Sequence, residues 1–198
     1  SSDFEILLLI MDSLKNLGIN DFTIHLSHRG LFNAFLTYEG ISEKSDEILR
    51  SVDKLAKIGI TKTRELLCNL VSPVKTDKIL EYITAGQEIE NKLNMSHILN
   101  KLTELSGGTN EFSKRLEDII KFLQDSGKLN NVILDPSITR GLDYYTGIVY
   151  ETFLNPLPGI GSICSGGRYN NLAALYTKEH LPGVGASIGL DRLLAAMS

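Results

Sequence analysis

The segment TRGLDYYTGIVYET, Thr139 to Thr152, sets an arginine, an acid and two adjacent phenols at the mouth of a run that reads as a strand. Arginine stays charged at physiological pH, and its planar fork matches phosphate or carboxylate oxygens in pairs. Arg140 is therefore a candidate anion-binding residue. Gly141 beside it permits a turn or a close approach of the backbone to a ligand. Tyr144 and Tyr145, in an extended segment, point to opposite faces. One ring would pack in the core while the other offers its hydroxyl to a cavity. The bland reading of each is a solvated loop arginine and a pair of ordinary strand-end aromatics. Tyr150 and Glu151 follow in a strand with apolar residues on both faces, where a buried Glu151 needs a partner.

Two further segments carry the same residue types. SGGRYNN, 165–171, joins Gly166 and Gly167 to an Arg-Tyr pair. This is either a Gly-Gly turn or a backbone that comes close to a small ligand, with Tyr169 as a polar contact. GASIGLDRLLAAM, 185–197, reads as a small apolar strand feeding a buried helix, with Leu190, Leu193, Leu194 and Met197 on its apolar face. Arg192 stands opposite that face, in the first helical turn. There it is either a solvated surface arginine or a group aimed at a polyphosphate or purine, helped by the helix N-terminus.

Other chemistries find no support. His25, His28, His97 and His180 form no HExxH pattern, and the chain has neither a P-loop nor a GxSxG elbow. Cys68 and Cys164 stand far apart, without zinc or disulfide spacing, which fits a reducing, cytosolic setting. No protein metal site is expected. The formal net charge of −4 gives no support to general nucleic-acid binding, although a local basic patch remains open. No apolar run reaches the roughly 18 residues of a membrane span.

The elements that position these residues fall into three parts. Over 1–40 the pattern is helix, strand, helix. Phe4, Leu7, Leu8, Met11 and Leu14 form a helical stripe with Asp3 as N-cap and Gly18 as stop; FTIHL is a strand; Leu31, Phe32, Phe35 and Leu36 form a second helical stripe. Over 41–130 strand signals nearly vanish, and helices are expected near 44–58, 62–70, 76–84 and 87–104. A further stripe, Phe112 to Leu123, is stopped by Gly127. Over 131–198 strands return, with NVILDP, GIVYETFL and SICSGGRY, a short helix near 170–176, and a closing strand, turn and helix. The flanks share an α+β character around an all-α block.

TRGLDYYTGIVYET, SGGRYNNL and GVGASIGLDRLL, in that order, resemble the second half of the catalytic domain of the histidyl-tRNA synthetase family. The first two resemble its histidine-recognition motifs, and the last resembles motif 3 of the class II aminoacyl-tRNA synthetases. The resemblance covers essentially the whole chain. It implies an antiparallel sheet with flanking helices, interrupted by an all-α insertion domain over 41–130. It also implies ATP-dependent activation of histidine to histidyl-adenylate, with Mg2+ bridging phosphate oxygens, followed by transfer to tRNA(His). By that resemblance Arg140 neutralises the α-phosphate and the substrate carboxylate, and Arg192 holds ATP. Tyr145, Tyr169 and, close by, Tyr144 line the histidine pocket over a floor of Gly166 and Gly167. The parent family is homodimeric and cytoplasmic.

Motif 1, the core of motif 2 and the anticodon-binding domain are missing from the 198 residues. The expectation is half of an active site, unable to form the adenylate alone. Two rival readings are a non-catalytic, histidine-sensing regulatory subunit of ATP phosphoribosyltransferase, and a helical interaction module formed by 41–130. The motif 3 arginine speaks against the first. Lys57, Lys62, Arg64, Lys75 and Lys78 could serve a tRNA acceptor arm or simply be solvated.

Overall fold

The computed structural model describes residues 2–87, 94–140 and 144–197. Gly141 and the beginning of the expected 87–104 helix lie outside them. Helix α1 (Ser2–Asn16) buries Leu7, Ile10, Met11 and Leu14, the spacing of one helical face. It ends where Gly18 takes φ +79° and the Ile19 N–H donates back to the Leu14 carbonyl at 2.9 Å, a left-handed stop suited to glycine. Asp3 is not the N-cap. It lies inside the helix, 1% exposed, because two distant arginines compete for its carboxylate.

Strand β1 (Phe22–His28) runs directly into α2 (Arg29–Tyr38). His28 Nδ1 accepts from the N–H groups of Gly30 and Leu31, at 3.0 and 3.4 Å, so an imidazole satisfies two orphan donors of the helix.

The middle of the chain is helical: α3 (Ser45–Val52), α4 (Leu55–Cys68), α5 (Pro73–Thr84), α6 (Met95–Leu105) and α7 (Glu111–Asp125). The single helix expected over 44–58 is divided after Val52, and α4 is kinked at Gly59, whose φ of 79° is non-helical. Ser72 caps α5 with Pro73 at its first position, and Asn94 caps α6. Asn110 and Ser113 form a reciprocal capping box on α7.

Strands β2 (Val132–Leu134), β3 (Ile148–Leu154), β4 (Cys164–Arg168) and β5 (Val184–Ile188) complete one sheet, in the order β2-β1-β3-β4-β5. Every pairing is antiparallel except β1 with β2. A parallel pair needs a long crossover, and here α2 through α7 supply it. The core is continuous across the parts, since Ile79, Leu102 and Leu116 of the helices share one buried cluster with Ile24 and Tyr150 of the sheet.

The closing helix α8 (Leu190–Met197) departs from expectation. Only Leu193 is buried, while Leu190, Leu194 and Met197 are 63%, 57% and 54% exposed. β5 is the sheet edge, and Ala186, Ser187 and Ile188 are exposed with it. Among the described residues, only the Leu193 part of this apolar face is covered.

Candidate functional site

Strand register decides what the sheet presents. Glu151 opposes Ser165 and Ser165 opposes Ser187; Val149 opposes Gly167 and Gly167 opposes Gly185. Directly opposed residues share a face, and the side-chain period is two. One face of β3-β4-β5 therefore carries Glu151, Ser165, Gly167, Gly185 and Ser187. Tyr150, Gly166, Arg168 and Val184 belong to the other.

The glycines make room for rings. A Cβ at Gly167 would lie 2.7 Å from the Tyr145 ring and 2.4 Å from the Ile148 carbonyl oxygen. A Cβ at Gly183 would meet the Tyr169 ring at 2.4 Å, and one at Gly185 its hydroxyl at 2.7 Å. Gly166, on the opposite face, leaves space for the Tyr150 hydroxyl, which donates to the Gly185 carbonyl at 2.6 Å. Gly166 and Gly167 are thus clearances between β4 and its neighbours on both sides. The second pair, Gly183 and Gly185, was not singled out from sequence.

Tyr144 and Tyr145 do not point to opposite faces. Their ring centroids are 4.6 Å apart, and Tyr144 meets Tyr169 edge-on at 6.2 Å. The alternation argument fails because neither residue lies in a strand. Tyr145 is buried and Tyr144 partly exposed. Burial, then the hydrogen bond with Tyr144, pushes the Tyr145 phenol up to about 12, with Arg140 acting in the opposite direction. Near neutral pH it remains a phenol, able to donate or accept.

Arg140 adopts φ +44°, a left-handed conformation uncommon outside glycine. Its Nη1 donates to Glu151 Oε1 at 2.6 Å. Glu151 is half-buried rather than buried, and Arg140 is the partner its carboxylate takes. The Arg140 Nε is buried with no hydrogen-bond partner among the described residues. Arg29 of α2 donates to the carbonyls of Thr139 and Arg140, at 2.9 and 2.8 Å, pinning the backbone that carries the guanidinium.

Arg192 projects from the first turn of α8 and donates through Nη1 to the Ser162 carbonyl at 2.7 Å. It and Arg140 line one cavity of about 430 Å³, together with Ile163, Ser165, Ser187 and Asp191. Cys164 lines it too, with its thiol pushed up to about 11 by burial, which keeps it protonated and inert.

The seven residues chosen from the sequence occur on or beside β3, β4, β5 and α8, but of them only Arg140 and Arg192 line this cavity, while Tyr145 lines a separate one with Gly30 and Phe112. Local sequence shows neither that Arg140 is the partner of Glu151 nor that the Ser162 carbonyl anchors Arg192. Nor does it show His25 Nδ1 lying 2.7 Å from Asp135 Oδ2, because such pairings exist only once the register is set. Of the basic residues considered for RNA, Arg64 pairs with Asp77, Lys75 with Glu39 and Lys78 with Glu81.

The two arginines on one cavity thus stand on a mostly antiparallel sheet flanked by helices, with the tyrosine cluster beside the same sheet. A sequence profile of the family described as Histidyl-tRNA synthetase matches residues 1–193, and the chain belongs to that family. It is 54% identical over 195 residues to the histidine–tRNA ligase of Treponema denticola, covering 98% of this chain and 44% of that protein. It is 43% identical to the ligase of Rhodopirellula baltica, covering 99% of this chain and 44% of that one. The crystal structure of histidyl-tRNA synthetase from a Nostoc species superposes with a TM-score of 0.85 at 34% identity, over 99% of this chain and 46% of that chain. A Bacillus halodurans structure titled as an ATP phosphoribosyltransferase regulatory subunit/histidyl-tRNA synthetase has a TM-score of 0.81 at 22% identity, over 100% and 50% of the two chains, which shows the shared fold alone. The chain spans a little under half the length of the curated relatives it matches.

Proposed function

We propose that this chain supplies the tyrosine and arginine half of a histidine-activating site in a histidine–tRNA ligase. The observation that carries the reading is the single cavity shared by Arg140 and Arg192. Two separate segments bring fixed cations to one space, as a polyphosphate requires. In this reading a histidine carboxylate oxygen bonds to the α-phosphorus of ATP, the bond to the β-phosphate oxygen breaks, and pyrophosphate leaves. Arg140 faces the carboxylate and α-phosphate, and Arg192 holds the nucleotide. Tyr144, Tyr145 and Tyr169 offer hydroxyls to the imidazole, above Gly167, while Gly166 turns its clearance to the other face and lends the pocket only backbone. A site built on such bonds rejects apolar analogues, because its own polar groups would be left unpaired.

Magnesium finds no protein cage among the described residues, which hold no cluster of three potential ligands. The cavity lining carries a single carboxylate, Asp191. The ion's usual partners are one or two carboxylates plus substrate phosphates; the described residues alone do not make such a site, and the roles above belong to the chain's own side chains. Transfer to tRNA(His), with the block 41–130 over the acceptor arm, and a cytoplasmic homodimeric parent follow from the family alone. No helix among the described residues is long and apolar enough to cross a membrane.

Histidine-dependent pyrophosphate exchange tests the reading. A full-length ligase containing this chain exchanges, and Arg140→Ala lowers its kcat on the order of a hundredfold. Arg192→Ala raises KM for ATP, while KM for histidine stays within twofold of the parent. The 198 residues alone give no exchange above background. Exchange by the chain alone, or full activity of Arg140→Ala, overturns it.

A further inference from the structure

The face of β4 opposite the cavity holds a charge cluster built around the buried Asp3, with two part-exposed arginines, that the proposed reaction does not use. Asp3 Oδ1 accepts from Arg168 Nε at 2.7 Å. Asp3 Oδ2 accepts from Arg115 Nε at 2.9 Å and lies 2.8 Å from Arg115 Nη2. One carboxylate thereby joins α1, α7 and the end of β4. His28, also buried, lies within electrostatic range of all three groups.

Arg168 is more than a partner in an ion pair. Its carbonyl accepts from the Thr146 N–H at 2.8 Å, and its Nη1 donates to Asn170 Oδ1 at 3.1 Å. The Asn170 N–H returns to Thr146 Oγ1 at 3.0 Å. Its aliphatic stem lies against Gly147, where a Cβ would come within 2.9 Å of it. Arg168 therefore grips the residue that follows Tyr145, and it directly precedes Tyr169. The backbone of Arg168 holds Thr146, and its side chain, on the face away from the two rings, holds Asn170, which in turn bonds to Thr146.

We propose that Asp3 is a positioning residue: by locking Arg168 to Arg115 of α7, it sets Tyr145 and Tyr169 from behind the sheet and ties the histidine end of the pocket to the docking of the helical block. The proposal rests on the reading of the tyrosine cluster as the histidine end. Small displacements of positioning groups have large kinetic effects. A carboxylate shared by two guanidiniums holds a geometry that an amide does not, since the amide accepts at one oxygen and carries no charge.

Two readouts test it. In pyrophosphate exchange by the full-length ligase, Asp3→Asn raises KM for histidine roughly tenfold and leaves KM for ATP within twofold. Arg115→Met leaves the Asp3–Arg168 pair in place, and raises KM for histidine roughly threefold. In the ligand-free chain with 13C-labelled tyrosine, both variants move the Tyr145 and Tyr169 ring resonances and leave those of Tyr38 and Tyr176 in place. If Asp3→Asn does not fold, Arg115→Met decides. Unchanged ring resonances, or KM values for histidine and ATP that rise together, overturn the proposal. Absence of histidine-dependent exchange in the parent ligase overturns the functional reading instead, and the ring resonances still decide the positioning role.

Discussion

Arg140 Nη1 and Glu151 Oε1 are 2.6 Å apart, with the two side chains 29% and 18% exposed. The pair joins the connection before β3 to the middle of β3 itself. It also explains how a left-handed arginine is tolerated, since backbone strain persists where the surroundings over-determine it. Glu151→Gln keeps the shape and removes the charge. The expected cost is about 2 kcal/mol in urea unfolding, between the values for a surface and a fully buried pair. In the full-length ligase the freed guanidinium also loses its fixed aim, so exchange activity falls as well. Unchanged stability and unchanged activity in this variant would remove the pair from the account of the site.

His28 gives the fold a defined acid sensitivity. Burial lowers its pKa to about 4, with Asp3 acting against that shift and Arg115 and Arg168 adding to it. In the unfolded chain the imidazole titrates near 6.5. Between those values the unfolded state binds the extra proton, so stability rises with pH. The contribution is fully present above about 6.5 and is lost as pH falls toward about 4, on the order of 3 kcal/mol in total. Asparagine can also cap a helix N-terminus. His28→Asn should therefore retain the α2 cap while flattening the slope of unfolding free energy against pH in that window. A slope as steep as the parent's would assign the acid sensitivity to other groups. Asp135 contributes in the same sense at lower pH: burial acts to raise its pKa, but the hydrogen bonds from His25 and Ser137 hold it below the ordinary value.

The glycines separate into those that make room and those that only turn. Gly167→Ala drives a Cβ toward the Ile148 carbonyl and the Tyr145 ring. A backbone carbonyl cannot give way cheaply, so a loss of about 1–3 kcal/mol is expected, the range of overpacked cores. Gly159 has nothing within 4 Å of a built Cβ and no left-handed φ. Gly159→Ala is expected to be neutral or stabilising by up to about 1 kcal/mol through the unfolded chain. Thermal unfolding of the two variants side by side checks the contrast.

Local pattern carried most of the elements and little of the wiring. The stripes of α1, α2 and α7 and the alternation of β1 could be read because burial repeats at the period of the element. Asp3 was misread for a physical reason. An acid at the start of a helix is the usual cap, and nothing nearby announces arginines 112 and 165 residues away. The Tyr-Tyr pair was misread because alternation was assumed outside a strand. Residue types made Arg140 and Arg192 candidates, but only the register of β3, β4 and β5 brings both to one cavity. The helix break at 53–54 was missed because Asp53 and Lys54 are acceptable helix residues, and only Gly59 bears a visible signal.

The outer edge of the sheet sets the last expectation. Among the described residues β5 pairs with β4 on one side only, and its Ile188 is exposed together with Leu190, Leu194 and Met197 of α8. An open strand edge beside an apolar helix face is a template for pairing with another chain. The 198-residue chain by itself should therefore self-associate as concentration rises, and sedimentation velocity should show it. Ile188→Lys and Leu194→Lys place charges on the edge and on the helix face without touching the buried Leu193. Each should shift the chain toward monomer while moving thermal stability by no more than about 0.5 kcal/mol, the range for surface substitutions. A chain that remains monomeric at high concentration, or Lys variants that associate as strongly as the parent, would show that this edge is not where copies meet.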